Sequence, residues 1–512
     1  MRTEIISHLM SIVGDSDAWT QIQSRVQLGN LAQNSENRSE IMKGIDMKSI
    51  AEELRKPYEG TLEQKKEIQN KQEGKCILLY AIIHGRNDDE LGRTIINSGI
   101  VDSLFFIFNS RDLSSITIPF VDVIQQLTLG SNEVKLLLYS KKPYPYLLRL
   151  LNHSDNEKLE FAICSIVNII NAGSNATSSS SLHPHFDQMS TYGGIEKLYS
   201  LFKRTDINEV IKDSAAICIG QLFSAKQLPH SMRTEIISHL MSIVGDFNNF
   251  IKINSRIALG NLAKNSENRS EIMKGIDMKS IAEELRKPYI GTLEQKKEIQ
   301  NKQEGKCNLL YAILNGRSDD ELRKTIINSG IVDSLFFIFD TRDLSSITAP
   351  YVDVIQQLTL GNDEVRLLLY SKKPYPYLLR LLNHIDNIVL EFTICSIINI
   401  LFAGSNTTSS SSLHPHFDQM SRYGGIEKLY SLFKRSDMNK KIKDLTAICI
   451  GRLFSARELP HSMRTNIISY LKTLINDSEI FIKIYSRIQL GNLAQNSVNK
   501  SEIEKGDFII PQ

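Results

Sequence analysis

The stretch Leu28–Ile45, LGNLAQNSENRSEIMKGI, decides how this chain is read, because it comes back. It returns at Leu259–Ile276 with one change, Gln33 to Lys264, and begins again at Leu490 as LGNLAQNSVNKSEIEKG. The interval is 231 residues each time. Position by position, residues 1–231 and 232–462 agree at 189 of 231 places and differ at 42, and residues 463–512 open a third copy. Self-similarity on this scale points to an array of stacked units rather than one closed core.

Each long copy is itself composite. Within it recurs a shorter phrase: a Gly or turn, a helix with apolar residues three or four apart, a break at Asp or Asn, then a longer apolar helix. The clearest cases are SGIVDSLFFIFNSRDLSSITIPFVDVIQQLTLG from Ser98, YPYLLRLLNHSDNEKLEFAICSIVNII from Tyr144 and GGIEKLYSLFKRTDINEVIKDSAAICIGQLF from Gly193. A fourth runs from Arg2 to Ala32, and a stretched fifth from Gly44 to Gly85 carries the polar insert YEGTLEQKKEIQNKQEG. The periods are helical, not those of strands. Five phrases per copy average about 46 residues, within the 40 to 47 residue class of helical repeats, so the chain holds about eleven. A helix pair with one apolar stripe cannot cover it alone, and stacking on the next pair does so. The expected fold is therefore an all-α solenoid: unit 1 over 1–231, unit 2 over 232–462, a partial third over 463–512, forming one continuous array. The Gly in INSG, TYGG and MKGI would permit the turn before a first helix, and the Asp or Asn of NSRD, NHSDN and KRTD would cap the helix that follows.

Composition sets limits. The chain has 512 residues, 41 % hydrophobic and 23 % charged, with 60 Lys and Arg against 58 Asp and Glu, a formal charge of +2. No global field would draw in nucleic acid or an anionic membrane. The start, MRTEIISHLMSIVGD, lacks a signal-peptide pattern, and no stretch approaches eighteen uninterrupted apolar residues. A soluble intracellular protein of the cytoplasm, with the nucleus also open to it, is expected. The six cysteines, Cys76, Cys164, Cys218, Cys307, Cys395 and Cys449, sit in apolar runs with no CxxC pair and read as core residues. The sequons at Asn37 and Asn175 then carry no meaning.

LGNLAQNSENRSEIMKGI, the Gly-Ile openings and the LLxLLxxxD form of YLLRLLNHSD together resemble the armadillo repeat family. The resemblance covers nearly the whole chain and is weakest between Tyr58 and Gly74. It implies a right-handed superhelix of three-helix repeats, whose third helices line a concave groove for extended peptides or partner proteins. Spacing alone would equally allow a HEAT-like array. The resemblance also implies an amide at one position of each third helix, gripping the backbone of a bound peptide; one amide can satisfy a peptide N–H and C=O together. The matching positions are Asn30, Gln126, Asn168 and Gln221, then Asn261, Gln357, Asn399 and Arg452, and finally Asn492. The competing account is that each amide caps a turn or lies on an exposed face. Nuclear-import adaptors of this fold place Trp one turn earlier, where this chain has Val26, Asp122, Cys164 and Ile217; its one Trp is Trp19. Recognition of a basic nuclear-localisation signal by that ladder is therefore not expected.

Differences between copies add detail. Gln221 becomes Arg452, Glu209 Lys440, Val210 Lys441 and Gly92 Arg323, a gain of positive charge suited to an acidic or phosphorylated partner. Ser154, Glu157 and Lys158 become Ile385, Ile388 and Val389, which reads as added core or a hydrophobic contact site. Drift after duplication would give both sets as well. The Ser-rich segments Ala172–Ser190 and Ala403–Ser421 read as long exposed loops whose serines could accept phosphate. Their HxH pairs, His183 with His185 and His414 with His416, could ligate zinc beside Asp187 or Asp418, but lack further ligands, so a solvated loop and no metal is the expectation. No nucleotide, hydrolase, kinase or metalloprotease motif occurs, and no cofactor is called for.

Two functions remain: a non-catalytic scaffold for protein or peptide partners, or a structural or regulatory arm in which the amide row is incidental. Neither involves nucleic acid or membrane; SKKPYPYLLR interleaves Lys and Tyr but suits a turn into a helix. Because Met1 aligns with the internal Met232 and Met463, the chain opens and closes within a repeat, which predicts end-to-end self-association or a longer native product.

Overall fold

A computed structural model describes residues 2–13, 17–86, 88–175, 182–408 and 412–510. Among the described residues every regular element is helical, with 31 α-helices and two 3-10 turns. Contacts divide the chain into two compact units: Met1–Ile243 with Asn248–Ile272, and Val244–Phe247 with Met273–Gln512.

In the first unit six helices stack in chain order, each against the next: Ala18–Ala32, Leu62–Ile83, Ile118–Thr128, Asn156–Asn175, Glu209–Leu222 and Asn249–Leu262. In the second, Leu293–Leu314, Ala349–Thr359, Asn387–Asn406, Lys440–Leu453 and Ile480–Leu493 do the same. These helices, here termed inner, form one row in each unit. A second row of shorter helices, Met47–Leu54, Ile100–Ser110, Tyr144–Leu150 and Gly194–Phe202, stacks in the same order beside the first. Each unit is thus a helical repeat stack whose core runs along its length, as one-sided apolar helices require.

The contact boundary does not follow the 231-residue period. His230–Ile243 and Asn249–Leu262 open the second copy, yet both pack on Glu209–Leu222 in the first unit. There Gly220 lies so close that a Cβ on it would stand 2.8 Å from the Cβ of Ala258. The helix ending copy one has an apolar face, and the next pair in the chain covers it.

Local chemistry explains most helix starts. Gly99 and Gly193, and their counterparts Gly330 and Gly424, take φ of 90°, 63°, 90° and 65°, which favours glycine, directly before a helix. The Gly of MKGI is different: Gly44 has φ −86° and ends a helix rather than opening one. Of the three acidic breaks, Asp155 accepts from the Glu157 amide as a cap should. Asp112 makes no side-chain cap bond, and Asp206 is held by Arg204 while Asn208 caps the next helix through the Ile211 amide.

Most of the polar insert is helical. After Thr61, whose hydroxyl and Gln64 form a reciprocal capping box, Leu62–Ile83 runs as one 22-residue inner helix. Its polar residues are used internally. Gln72 is buried, donates to the Glu53 carbonyl at 2.7 Å and accepts from Arg111, while Glu73 accepts from the Thr117 hydroxyl at 2.6 Å. The Arg111 guanidinium lies 4.4 Å from the Tyr58 ring.

Asn387–Asn406 is long and apolar enough to cross a membrane by length and composition, with mean hydropathy 1.9, but 67 % of that window is buried. Its flanking inner helices, Ala349–Thr359 and Lys440–Leu453, account for the apolar composition on both sides. The cysteines are core residues. Cys76, Cys218, Cys307 and Cys449 are buried, and burial pushes the half-buried Cys164 thiol up to about 12 and Cys395 to about 11.

Candidate functional site

The nine amide-row positions fall on nine inner helices, but the fold treats them differently. Asn30 is exposed. With Val26 one turn earlier it lines a hollow of about 750 Å3, whose other wall is Tyr80 and His84, stacked at 4.6 Å, with Arg38 and Arg86. Burial, then the neighbouring Arg38 charge, holds the Arg86 pKa below its usual value.

Next along the row, the amides turn inward. Gln126 donates to Asp122 Oδ1 at 3.2 Å and Gln125 Oε1 at 3.0 Å, and accepts from His84 Nδ1 at 3.2 Å. Asn168 donates to Thr128 Oγ1 at 3.3 Å on the preceding inner helix. In the second unit Gln357 repeats the bonds to Asp353 and Gln356, and the half-buried Asn399 repeats the one to Thr359 at 3.1 Å. Asn261 is buried and accepts from Lys264 Nζ at 2.7 Å. Gln221 is wholly buried, 0 % exposed, and neither amide atom has a partner among the described residues.

The far end of the second unit opens again. Arg452 and the half-buried Asn492 come together around a hollow of about 490 Å3, joined by Ser405, Asn406, His414 and Ile488. Ile488 stands to Asn492 as Val26 stands to Asn30, one helical turn earlier. Copies one and three of the same short phrase, in different units, therefore both border a hollow with an aliphatic residue and an amide.

Of the four positive charges gained in the second copy, three are spent. Lys440 pairs with Asp444 at 2.7 Å and Asp477 at 2.6 Å, and Lys441 with Glu391 at 2.5 Å. Arg323 is fully buried and donates to the Gln357 carbonyl at 3.1 Å and the Arg317 carbonyl at 2.5 Å. A surface charge was expected there; the site Gly92 occupies in copy one is a packed position, where only a side chain reaching backbone acceptors can carry charge. Of the three new apolar residues, Val389 is core, whereas Ile385 is 83 % and Ile388 54 % exposed.

The expectation of solvated HxH loops is corrected. His183 and His185 are buried, as are His414 and His416. His183 donates from Nε2 to the Ile170 carbonyl at 3.0 Å and accepts the His185 amide at Nδ1. His185 accepts the Tyr144 hydroxyl at 2.7 Å and stacks on Tyr139 at 3.7 Å. Desolvation lowers these imidazoles to about 4 and about 3, and the second unit repeats both values. They are neutral packing elements whose nitrogens satisfy backbone and hydroxyl groups. Among the described residues no three His, Cys, Asp or Glu groups gather as a metal site. The Ser178–Ser181 run and Ser409–Ser411 lie outside the described residues.

No family model matches the chain, and no curated protein matches it. Among solved structures it is similar to the crystal structure of an engineered protein from the Northeast Structural Genomics Consortium. The TM-score is 0.51 at 18 % identity, covering 88 % of this chain and 99 % of that one. That likeness concerns fold alone.

Proposed function

We propose that this chain is a non-catalytic protein–protein interaction scaffold, built from right-handed, armadillo-type solenoid repeats, that holds extended peptide or protein segments along its inner helices. The observation that carries the reading is the recurrence of Val26 with Asn30 and Ile488 with Asn492. Two copies of one phrase, 462 residues apart in sequence, each leave an aliphatic side chain and an amide facing an open hollow. An amide can pair with peptide backbone while the aliphatic neighbour takes a side chain, giving affinity with limited sequence preference. No cofactor, nucleic acid or membrane enters this reading.

A second reading, a structural or regulatory arm, is favoured by a separate observation: Asn168 and Asn399 use their amides to tie neighbouring inner helices together, and Gln126 accepts from His84 at the end of the preceding one. Photo-crosslinking separates the two. With benzoylphenylalanine in place of Val26 or Ile488, a bound segment should be captured that is not captured from Phe106, an exposed residue of the second row. Adding Asn30→Ala and Asn492→Ala should reduce the yield. Equal capture from both rows, or none from the inner one, favours the arm.

A further inference from the structure

Arg452 is an anomaly in charge terms. It is 9 % exposed, yet its guanidinium makes no ion pair and its Nε has no hydrogen-bond partner among the described residues. An unpaired buried cation is costly, and burial accordingly lowers its pKa to about 10. What supports it is aromatic: the guanidinium lies 4.2 Å from the Phe402 ring, which stacks on Tyr485 at 4.4 Å.

The corresponding residues of the first unit show what was replaced. There Gln221 sits where Arg452 does, and Phe402 and Tyr485 correspond to Asn171 and Asn254, whose side chains bond each other at 2.6 Å. Three changes together turn an amide cluster into a cation backed by two rings. The nearby cation of the first unit, Lys264, is already engaged with Ser224 Oγ at 3.2 Å and Asn261 Oδ1 at 2.7 Å. Arg452 has no such acceptor among the described residues.

The hollow Arg452 faces has matching chemistry. Its lining includes the amides of Asn406 and Asn492 and the hydroxyls of Ser405 and Ser455, and no carboxylate. The Ser405 hydroxyl is buried without a partner among the described residues. His414 is neutral and uses both nitrogens elsewhere, on the Leu401 carbonyl and the His416 amide. Asn406 donates to Asp363 Oδ2 at 2.8 Å and Asn492 to Gln489 Oε1 at 3.3 Å, each through an amide nitrogen that carries a second N–H; the lining itself offers donors and a positive charge and holds no anion.

We propose that this hollow is an oxyanion subsite, in which Arg452, with Asn492 and Ser405 as further donors, takes the carboxylate or phosphate of an acidic or phosphorylated side chain on the bound segment. Guanidinium groups suit this role because they donate in a planar fork that matches either oxyanion. The inference rests on the scaffold reading but is tested without the unknown partner. The probes are inorganic phosphate and acetate, titrated into the full chain, with the Arg452 Nε–H followed by NMR and assigned through its loss in Arg452→Gln.

Saturable, salt-sensitive movement of that signal is expected, with phosphate affinity, measured by calorimetry in all chains, falling about tenfold or more in Arg452→Gln and in Asn492→Asp, which sets a competing carboxylate at the rim. Arg452→Gln installs the residue the first unit tolerates, and Asn492 is half-buried, so one variant or the other reports on a folded chain. A response to both probes assigns a carboxylate or phosphate ligand; a response to phosphate alone assigns a phosphorylated residue. An unmoved Nε–H, or phosphate binding unaltered in both variants, overturns the proposal. Inner-row crosslinking with no anion response sinks the subsite alone, and an anion response without crosslinking sinks the scaffold reading alone.

Discussion

Gly173 lies under the His185 ring so closely that a Cβ there would stand 2.8 Å from Cε1 and Nε2; Gly404 meets His416 at 2.7 Å. The ring cannot retreat, being stacked on Tyr139 and bonded to Tyr144. Gly173→Ala should therefore cost about 1–3 kcal/mol in urea unfolding, the usual penalty of overpacking; no loss would show that the ring yields. The same imidazoles set an acid limit. Their folded pKa values, about 4 and about 3, lie below the ordinary 6.5. As pH falls below about 6.5 the unfolded chain takes up protons that the folded one refuses, so the stability present above that pH is lost progressively toward pH 4 and 3. Two imidazoles in one unit give a slope of up to about 2.7 kcal/mol per pH unit. Urea midpoints at several pH values check this, and His185→Phe should flatten the profile. The sequence displayed these histidines beside a Ser run, and their burial was not legible. Phosphorylatable, Pro-bearing text reads as loop; only the arrival of Tyr139 and Tyr144 from an earlier repeat makes it core.

Helix starts follow local chemistry where the capping residue adjoins the helix, as at Thr61, Asp155 and Asn208. Thr61→Ala removes one half of the capping box and should cost about 1 kcal/mol, visible as faster hydrogen exchange in the first turn of Leu62–Ile83. Protection unchanged in that turn would mean that packing alone holds it. The insert before Gly74 stretches the repeat without showing its helix, because polar residues carry no helical period of apolar ones. Its acceptors and donors face Glu53, Arg111 and Thr117, which are distant in sequence. The amide row is the reverse case. Its spacing was legible, but whether an amide faces a hollow, as Asn30 does, or a neighbouring helix, as Asn168 does, depends on the residue opposite, here Thr128.

For the whole molecule, stacking makes each repeat depend on the next one. A fragment ending at Ser231 lacks Asn249–Leu262 and leaves the Glu209–Leu222 face bare, whereas one ending at Ile272 keeps it covered. Fragment 1–272 should melt several degrees above fragment 1–231, and the shorter should self-associate; equal melting temperatures would deny that the pair stabilises its predecessor. Hydrogen exchange should also be graded along the first unit, slowest in Ile118–Thr128 and Asn156–Asn175 and fastest in Arg2–Ile12.

By itself, the amino-acid order determined that the chain repeats, that its elements are helices, and which stripe of each helix is apolar, because periodicity and capping act within a few residues. Tertiary structure decided which polar groups are spent and which are left over. Gln221 and Arg452 occupy equivalent places in nearly identical text, yet Arg452 has aromatic support and, among the described residues, lacks an acceptor because of side chains supplied by other helices. Pairing between distant residues is a property of packing, and the hollows at Asn30 and Asn492 exist only where that packing leaves them open.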